Sequence, residues 1–180
     1  MNESFHFSLE SVISRLEVFP EALRATVAIV PEQLHAWRPG EGYWSVLEVL
    51  AHLALEEEQD FRPRIACILA EPQKPWPPID PEGAVASSEA NSRPASHWLD
   101  RFENDRAESV AWLRSLDCPD LDRANVHPKF GAMPARGLLG AWTAHDALHL
   151  RQILKRLYQI AQREAGEDEV GYAGSWEERG

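Results

Sequence analysis

The sequence is poor in cysteine, with only Cys67 and Cys118 among 180 residues and no paired cysteine motif. A framework of disulfides is therefore excluded as the source of stability. Two isolated cysteines in a chain of this size are usually small apolar residues of the core, and we expect that role for both. A redox-active thiol and a bridge between the two are the alternatives.

Basic residues are also scarce, since 18 Lys and Arg face 29 Asp and Glu and give a net charge of −11. Proteins bind a nucleic-acid backbone through clustered Lys and Arg, so we expect no nucleic-acid partner. No apolar run approaches the ~18 residues that span a bilayer. Residues 1–4 lack the basic start and the apolar core of a signal peptide. We therefore expect a cytoplasmic protein without membrane contact.

What the chain does contain is apolar residues at helical spacing, within a composition that is 44% hydrophobic. This content is enough for one globular domain with its own core. Residues 7–30 have apolar side chains three and four positions apart, which predicts a first amphipathic helix. Pro20 interrupts this pattern, so we expect either a kink or two short helices, the second opened by the proline.

A second helix is predicted from Ser45 to about Ala70. Ser45 and Glu48 have the spacing of a capping box, in which the two side chains satisfy backbone N–H groups at a helix start. Pro63 should bend the later half of this helix, because it has no N–H and crowds the preceding turn.

The sequence pattern after residue 70 predicts two more helices and two irregular connections. Residues 71–93 contain five prolines and no helical pattern, which indicates a long connection without regular structure. A third helix is predicted from Pro94 to about Asp117, and a fourth from Pro134 to about Arg163. Between them we expect an irregular loop.

Four helices without a convincing strand predict an all-α fold, a four-helix bundle formed by residues 1–163 as a single domain. The connection 71–93 reaches ~75 Å when extended, whereas a helix of about 26 residues is only ~39 Å long. Helices two and three can therefore lie parallel, which gives an up-down-down-up topology. Residues 164–180 form an acidic tail that we expect to be poorly ordered, with Tyr172 and Trp176 as the groups that could dock it.

The fourth helix carries His145 and His149, four positions apart on its apolar face. Such positions are ~6 Å apart along a helix and about 40° apart around it, so both imidazoles can approach the same ion. His52 on the second helix can supply a third imidazole. We therefore predict a metal site formed by His52, His145 and His149, although each histidine taken alone is more often a core or surface residue.

Three protein ligands leave an open coordination position, which is typical of catalytic rather than structural metal sites. Neutral imidazole suits a divalent transition metal, with zinc and nickel preferred and iron, copper and manganese as alternatives. Water bound to such an ion has its pKa lowered toward ~7, which supplies a nucleophile at neutral pH.

Glu56 lies one helical turn beyond His52 and is the candidate catalytic base. From that position it could also be a fourth ligand or accept a hydrogen bond from a ligand histidine. The alternative is a solvated carboxylate, because Glu56 opens the acidic run 56–58.

Two further polar residues accompany the histidine pair. Asp146 points about 100° away from His145, which favours a hydrogen bond to a neighbouring helix or histidine over metal ligation. Gln152 follows His149 by almost one turn and could line the pocket, pack or cap. The remaining histidines are expected in loops or at helix ends, in contact with solvent: His6, His35, His97 and His127.

Two stretches resemble motifs of the DinB-like superfamily, the DNA-damage-inducible and YfiT-type metal-binding bundles. Residues 44–53, Trp-Ser-Val-Leu-Glu-Val-Leu-Ala-His-Leu, resemble its Trp-Ser…His-Leu motif on the second helix. Residues 145–153, His-Asp-Ala-Leu-His-Leu-Arg-Gln-Ile, resemble its His-x-x-x-His-x-x-Gln-Ile motif on the fourth. Both occur in the expected order and separation, and the resemblance covers about residues 5–163.

This resemblance implies an up-down-down-up bundle, a divalent metal on His52, His145 and His149, and often a homodimer. It does not imply DNA binding. The superfamily includes metal-dependent thiol S-transferases and hydrolase-like and isomerase-like proteins. We therefore expect a metal-dependent enzyme that hydrolyses a small molecule or transfers a low-molecular-weight thiol. A non-catalytic metal-binding or stress-response module is the alternative, and a bundle whose histidines are core residues is a third.

Overall fold

Four helical segments pack side by side, as the apolar spacing predicts. In this computed structural model, which describes residues 6–76 and 78–177, the first segment is α1 (Leu9–Ala28). The second runs through α2, a π turn and α3, the third is α5 and the fourth is α6. Their bounds are Val46–Glu56, Glu57–Phe61, Arg62–Ala70, Ala95–Ser115 and Ala135–Ala165. No helix within the described ranges is both long and apolar enough to cross a membrane.

Helix α1 is continuous through Pro20. The expectation of two short helices was therefore wrong. A proline has no N–H to offer to the carbonyl four residues back, here that of Leu16. The side chain of Arg106 donates to this oxygen at 3.0 Å instead. The hydrogen bond that the proline removes is thus replaced from a neighbouring helix, which lets α1 remain unbroken.

The second segment begins with the predicted capping box. The backbone N–H of Glu48 donates to Ser45 Oγ at 3.2 Å, and Ser45 N–H donates to Glu48 Oε2 at 2.9 Å. Near Pro63, where a bend was expected, the structure has a π turn over Glu57–Phe61, which ends two residues before the proline. Because Pro63 cannot donate to the carbonyl of Gln59, the α-helical ladder is interrupted at this point, and the chain takes the wider turn there.

The connection after α3 is more regular than its prolines suggest. It contains helix α4 (Pro81–Ser87) and a 3₁₀ turn, Ala90–Ser92. Asp80 caps α4 by accepting from Gly83 N–H at 3.0 Å, and Pro81 occupies the first helical position, where its missing N–H costs nothing. The expectation of a connection without helix was wrong.

The loop between the third and fourth segments forms a β-hairpin. Strands β1 (Ala124–His127) and β2 (Gly131–Pro134) pair antiparallel, with Val126 opposite Ala132. Gly131 has a φ of +71°, a conformation that residues with a side chain rarely adopt. The prediction of an irregular loop was wrong, because strands of four residues are too short to show a clear alternation.

Ion pairs between helices show that α1 and α5 run antiparallel. Arg24, late in α1, pairs with Glu103, early in α5, at 2.7 Å. Glu17, earlier in α1, pairs with Arg114 near the end of α5 at 2.8 Å.

The second and third segments run parallel. Glu58 pairs with Arg101 at 2.7 Å, and Arg62, one turn later, pairs with Glu108 at 3.2 Å. Trp44, just before α2, contacts Arg156 late in α6, so the second and fourth segments are antiparallel. The order is therefore up-down-down-up, as predicted.

The apolar core is divided into two parts along the bundle axis. Near one end the buried residues include Leu23, Leu50 and Phe102, and near the other they include Leu16, Ile65 and Leu139. Every segment passes from one part to the other through a middle layer of polar side chains. This layer contains the buried His52, the half-buried His145 and His149, and the buried charges Glu57, Arg106 and Asp146.

The acidic tail folds back along α6 as far as the structure describes it. It contains α7 (Glu167–Val170), and further on Trp176 packs against Tyr158 with ring centroids 5.6 Å apart. Tyr158 Oη also donates to Gly174 O at 3.1 Å. Tyr172 is 99% exposed and docks nothing. Residues 178–180 lie outside the described residues, and the degree of order of the tail stays a prediction.

Candidate metal centre

The three histidines singled out in the sequence meet in the middle layer. Nε2 of His145 lies 3.0 Å from Nε2 of His52 and 3.1 Å from Nε2 of His149. The ring centroids are 4.3 to 5.0 Å apart. One ligand atom from each ring therefore falls within 4.8 Å of the other two, a compact group that could hold one ion.

This convergence follows from how α2 and α6 are placed. The capping box fixes the start of α2, so His52 comes two turns later on the face toward α6. Arg156 Nε on α6 donates to the main-chain oxygen of Trp44 at 2.7 Å, which ties the two helices in register. The Trp44 ring then lies 4.9 Å from His52 and 6.3 Å from His149 and forms one wall of the site.

Burial keeps the three imidazoles neutral. Burial, together with a smaller effect of a neighbouring histidine, lowers the pKa of His52 to about 3 and that of His145 to about 2. The pKa of His149 is also lowered by burial. Neutral imidazole is the form that binds a metal, so the histidines need not lose a proton at pH 7 to do so.

The spacing of the ring nitrogens also fits a metal ion. Two nitrogens that are each ~2.1 Å from one ion lie roughly 3.0 to 3.4 Å apart, depending on the angle between them. The distances of 3.0 and 3.1 Å from His145 Nε2 to its two neighbours fall in this range. Three nitrogen donors on two helices thus have both the chemistry and the spacing for a divalent transition metal.

Glu56 lies beside His52 but outside this group of nitrogens. Its Oε1 is 3.9 Å from Nδ1 of His52, the ring atom that faces away from His145. Burial, together with a smaller effect of the nearby Asp60, raises the pKa of Glu56 to about 8. Burial also raises the pKa of Asp60, which pairs with Arg64. The Glu56 carboxyl is therefore mostly protonated at pH 7.

A buried arginine lies next to the histidines, and sequence reasoning did not identify it. Arg106 on α5 is 1% exposed, and its guanidinium makes five hydrogen bonds. Two go to Glu57, at 2.9 and 2.6 Å, and two to Asp146, at 2.8 and 2.9 Å. The fifth goes to the Leu16 carbonyl. Arg106 therefore joins all four segments of the bundle at the level of the histidines.

Asp146 takes the position expected for it, turned away from His145 toward a neighbouring helix. Its carboxylate accepts from Arg106, and burial raises its pKa to about 6. Trp142, one turn earlier, donates its indole N–H to Glu57 at 2.8 Å. The Phe61 ring contacts Trp142 and His145 at centroid distances of 5.5 and 5.1 Å. The Phe61 ring thus contacts both a residue bonded to the ionic network and one of the three clustered histidines.

The other histidines stay apart from the group in the described part of the chain. His6 and His97 are exposed, as expected. His35 and His127 are half-buried, which corrects the expectation of solvent exposure. His35 Nε2–H donates to Val30 O at 2.9 Å, and His127 Nδ1 accepts from backbone N–H groups of the hairpin turn. Each of these two histidines therefore makes a hydrogen bond to the backbone that accounts for its partly buried position.

Both cysteines are free, and neither is a core residue. Cys67 is half-buried, and its Sγ lies 3.7 Å from the carbonyl of Glu71. Cys118 is exposed in the loop after α5, with a φ of +44°. The expectation that both are buried was wrong, because each faces a connecting loop rather than a helix interface.

Comparison with known proteins identifies one family. The sequence model of the DinB superfamily matches residues 15–153. This range includes all three histidines and most of the bundle. Among curated proteins, no sequence is significantly similar to the chain.

Three solved structures resemble the fold. YfiT from Bacillus subtilis, described as a probable metal-dependent hydrolase with an unusual four-helix bundle topology, has a TM-score of 0.76 at 21% identity, over 89% of this chain and 93% of that one. A mycothiol-dependent maleylpyruvate isomerase has a TM-score of 0.64 at 13% identity, over 81% of this chain and 60% of the isomerase. The four-helix bundle protein TT2238 has a TM-score of 0.53 at 23% identity, with coverages of 82% and 99%. These likenesses establish the four-helix bundle.

Proposed function

The chain belongs to the DinB superfamily, and from that premise we propose that it is a metal-dependent enzyme. His52, His145 and His149 hold one divalent transition metal through their Nε2 atoms, with zinc or nickel preferred and iron or manganese as alternatives. The observation that carries this proposal is the convergence of three neutral imidazoles, one buried and two half-buried, with Nε2 atoms 3.0 and 3.1 Å apart. Three protein ligands leave room for a substrate atom or water.

The proposed reaction is hydrolysis of a small molecule or transfer of a low-molecular-weight thiol. A bound ion of this kind lowers the pKa of coordinated water or thiol and polarises a carbonyl. Two proteins of similar fold support the two reaction classes, since one is described as a probable metal-dependent hydrolase and the other as a mycothiol-dependent isomerase. The Trp44 ring gives the site an apolar wall for the substrate.

We propose Glu56 as the general base. Its carboxyl is buried and lies 3.9 Å from His52 Nδ1. With a pKa of about 8, only the minor ionised fraction can act as a base at pH 7, so the rate should rise toward pH 8. Such a pKa suits a group that takes up and returns a proton during turnover. The alternative role for Glu56 is to accept a hydrogen bond from His52 Nδ1 after a small movement. Solvent would then carry out the proton transfer.

The remaining proposals concern the setting of the enzyme. We propose that it acts in the cytoplasm, as a homodimer, and without nucleic acid. The net charge of −11 supports the last point, because it opposes binding to phosphate groups. The mass of the purified protein in solution tests the dimer.

The test of the function is turnover by zinc- and nickel-loaded protein on panels of hydrolysable esters and amides and of thiol acceptors. We expect activity that His149→Ala reduces at least 100-fold, about 2.7 kcal/mol or more of transition-state stabilisation. His97→Ala, which removes an exposed histidine of α5, is the control and should leave the rate unchanged. Equal turnover by metal-free protein would contradict the proposal. Zinc uptake with a higher Tm and no turnover would indicate the non-catalytic module instead.

A further inference from the structure

Gln152 is the hydrogen-bond partner of a metal-binding histidine. Its Oε1 lies 2.9 Å from Nδ1 of His149, three residues earlier on α6. An amide oxygen can only accept a hydrogen bond, so the hydrogen of the neutral ring is on Nδ1. Nε2 therefore keeps its lone pair. This is the atom that faces His145 Nε2 at 3.1 Å.

We infer that Gln152 is a positioning residue that fixes the tautomer and the orientation of the His149 ring. The inference rests on the proposed function, in which Nε2 of His149 is a metal ligand. Without an acceptor at Nδ1 the ring could place its hydrogen on Nε2, and that tautomer cannot bind an ion through this atom. Gln152 thus holds the His149 ring in the tautomer that can bind a metal, even in the metal-free protein.

The surroundings of His149 favour this role over simple packing. Residues three apart on a helix are neighbours, so α6 itself holds the amide against the ring. On another side the Trp44 ring lies 6.3 Å away at an interplanar angle of 22°, which limits rotation of the imidazole. His52 differs, because its Nδ1 is buried with no hydrogen-bond partner among the described residues. The support at His149 is therefore not shared by His52.

An amide also differs from the carboxylate that often supports a metal-bound histidine. It orients the ring without adding a negative charge, whereas a carboxylate raises the basicity of the ligand as well. We therefore expect Gln152→Glu to retain the tautomer and to bind metal at least as tightly as the natural protein. Gln152→Met has a similar length without a hydrogen-bond acceptor of comparable strength, so it should lose both effects while still filling the space.

Two measurements on the full chain test the inference. Nitrogen-15 NMR of the metal-free protein should show His149 with its hydrogen on Nδ1, and Gln152→Met should shift the hydrogen toward Nε2. Titration with Zn(II) against a competing chelator should show affinity 10- to 100-fold weaker, by order of magnitude, in Gln152→Met and restored in Gln152→Glu. The matched control is Gln162→Met, which replaces another half-buried glutamine of α6, late in the helix and away from the histidines. It should change neither result.

The outcomes separate this inference from the function on which it rests. An Nε2–H tautomer of His149 in the natural protein would overturn the role of Gln152. So would unchanged zinc affinity in Gln152→Met, or failure of Gln152→Glu to restore it. If the natural protein bound no zinc at all, the metal centre itself would fail. In that case the NMR measurement of the His149 tautomer in Gln152→Met would by itself show whether Gln152 fixes the tautomer of the ring.

Discussion

Arg106 donates a hydrogen bond to the main-chain oxygen of Leu16, the carbonyl that Pro20 leaves without its usual helical donor. The same guanidinium holds Glu57 and Asp146. The continuity of α1 at Pro20 and two buried carboxylates on other segments therefore depend on one side chain. Because Asp146 is adjacent to His145, this network also holds the histidines of α6 at their position along the bundle axis.

Replacement of Arg106 should therefore destabilise the fold strongly. Arg106→Met leaves two buried carboxylates without their partner, and we expect a loss of about 3–5 kcal/mol in the free energy of unfolding. Urea unfolding of metal-free protein measures it. Arg101→Met is the control, because Arg101 pairs with the exposed Glu58 and should cost less than ~1 kcal/mol. Equal losses in the two variants would argue against the central role of the buried network.

The capping box of α2 gives a second prediction. Ser45→Ala removes the acceptor for Glu48 N–H and the hydroxyl that donates to Asn91 at 2.7 Å. Because Ser45 is fully buried, water cannot replace these bonds, and we expect a loss of ~1–2 kcal/mol. Ser8 caps α1 in an exposed position at 3.3 Å, so Ser8→Ala should cost less. Thermal unfolding of both variants compares them, and the reverse order would contradict the account.

The sequence predicted the histidine group because its signals are local. Four residues separate His145 from His149, and a capping box sets the start of the helix that carries His52. Whether His52 lies at the same height as the pair depends on how α2 and α6 are aligned. That alignment is set by contacts between distant residues, such as Arg156 with the Trp44 carbonyl, which no local pattern reveals.

The buried ionic network was missed for a physical reason. Glu57 lies within an acidic run that is typical of a solvated surface, whereas in the structure it is buried in the π turn and accepts from Arg106, Ser109 and Trp142. A signal was present, since Arg106 interrupts the apolar face of α5 four residues after Phe102 and four before Val110. A charge at such a position indicates a buried partner on another helix.

The pKa of Glu56 leads to a prediction about alkaline pH. Its folded pKa of about 8 is above the usual 4.5, so between these values the folded protein holds a proton that the unfolded chain releases. Stability is therefore lost as pH rises through this window. Glu56→Gln imitates the protonated form and should be more stable than the natural protein at pH 8.5, with the difference disappearing below about pH 4. Urea unfolding at several pH values measures this, and a constant difference would contradict it.

The histidines give the opposite dependence in acid. The folded pKa of His145 is about 2, below the ordinary 6.5, so under pH 6.5 the unfolded chain takes up a proton that the folded protein refuses. Stability from this group is fully present above pH 6.5 and is lost as pH falls. Between pH 6.5 and 4.5, metal-free His145→Gln should lose about 1–2 kcal/mol less than the natural protein. His97→Gln, with an exposed ring, should behave like the natural protein, and parallel curves for all three would count against a buried neutral His145.

The most direct test of the metal centre is elemental analysis of protein purified without an affinity tag, together with a Zn(II) titration of the metal-free form. We predict one equivalent of a divalent transition metal per chain, and its loss in His145→Ala, which removes the nitrogen that lies within 3.1 Å of both others. Absence of stoichiometric metal together with no zinc binding, or full binding by a correctly folded His145→Ala, would contradict the account.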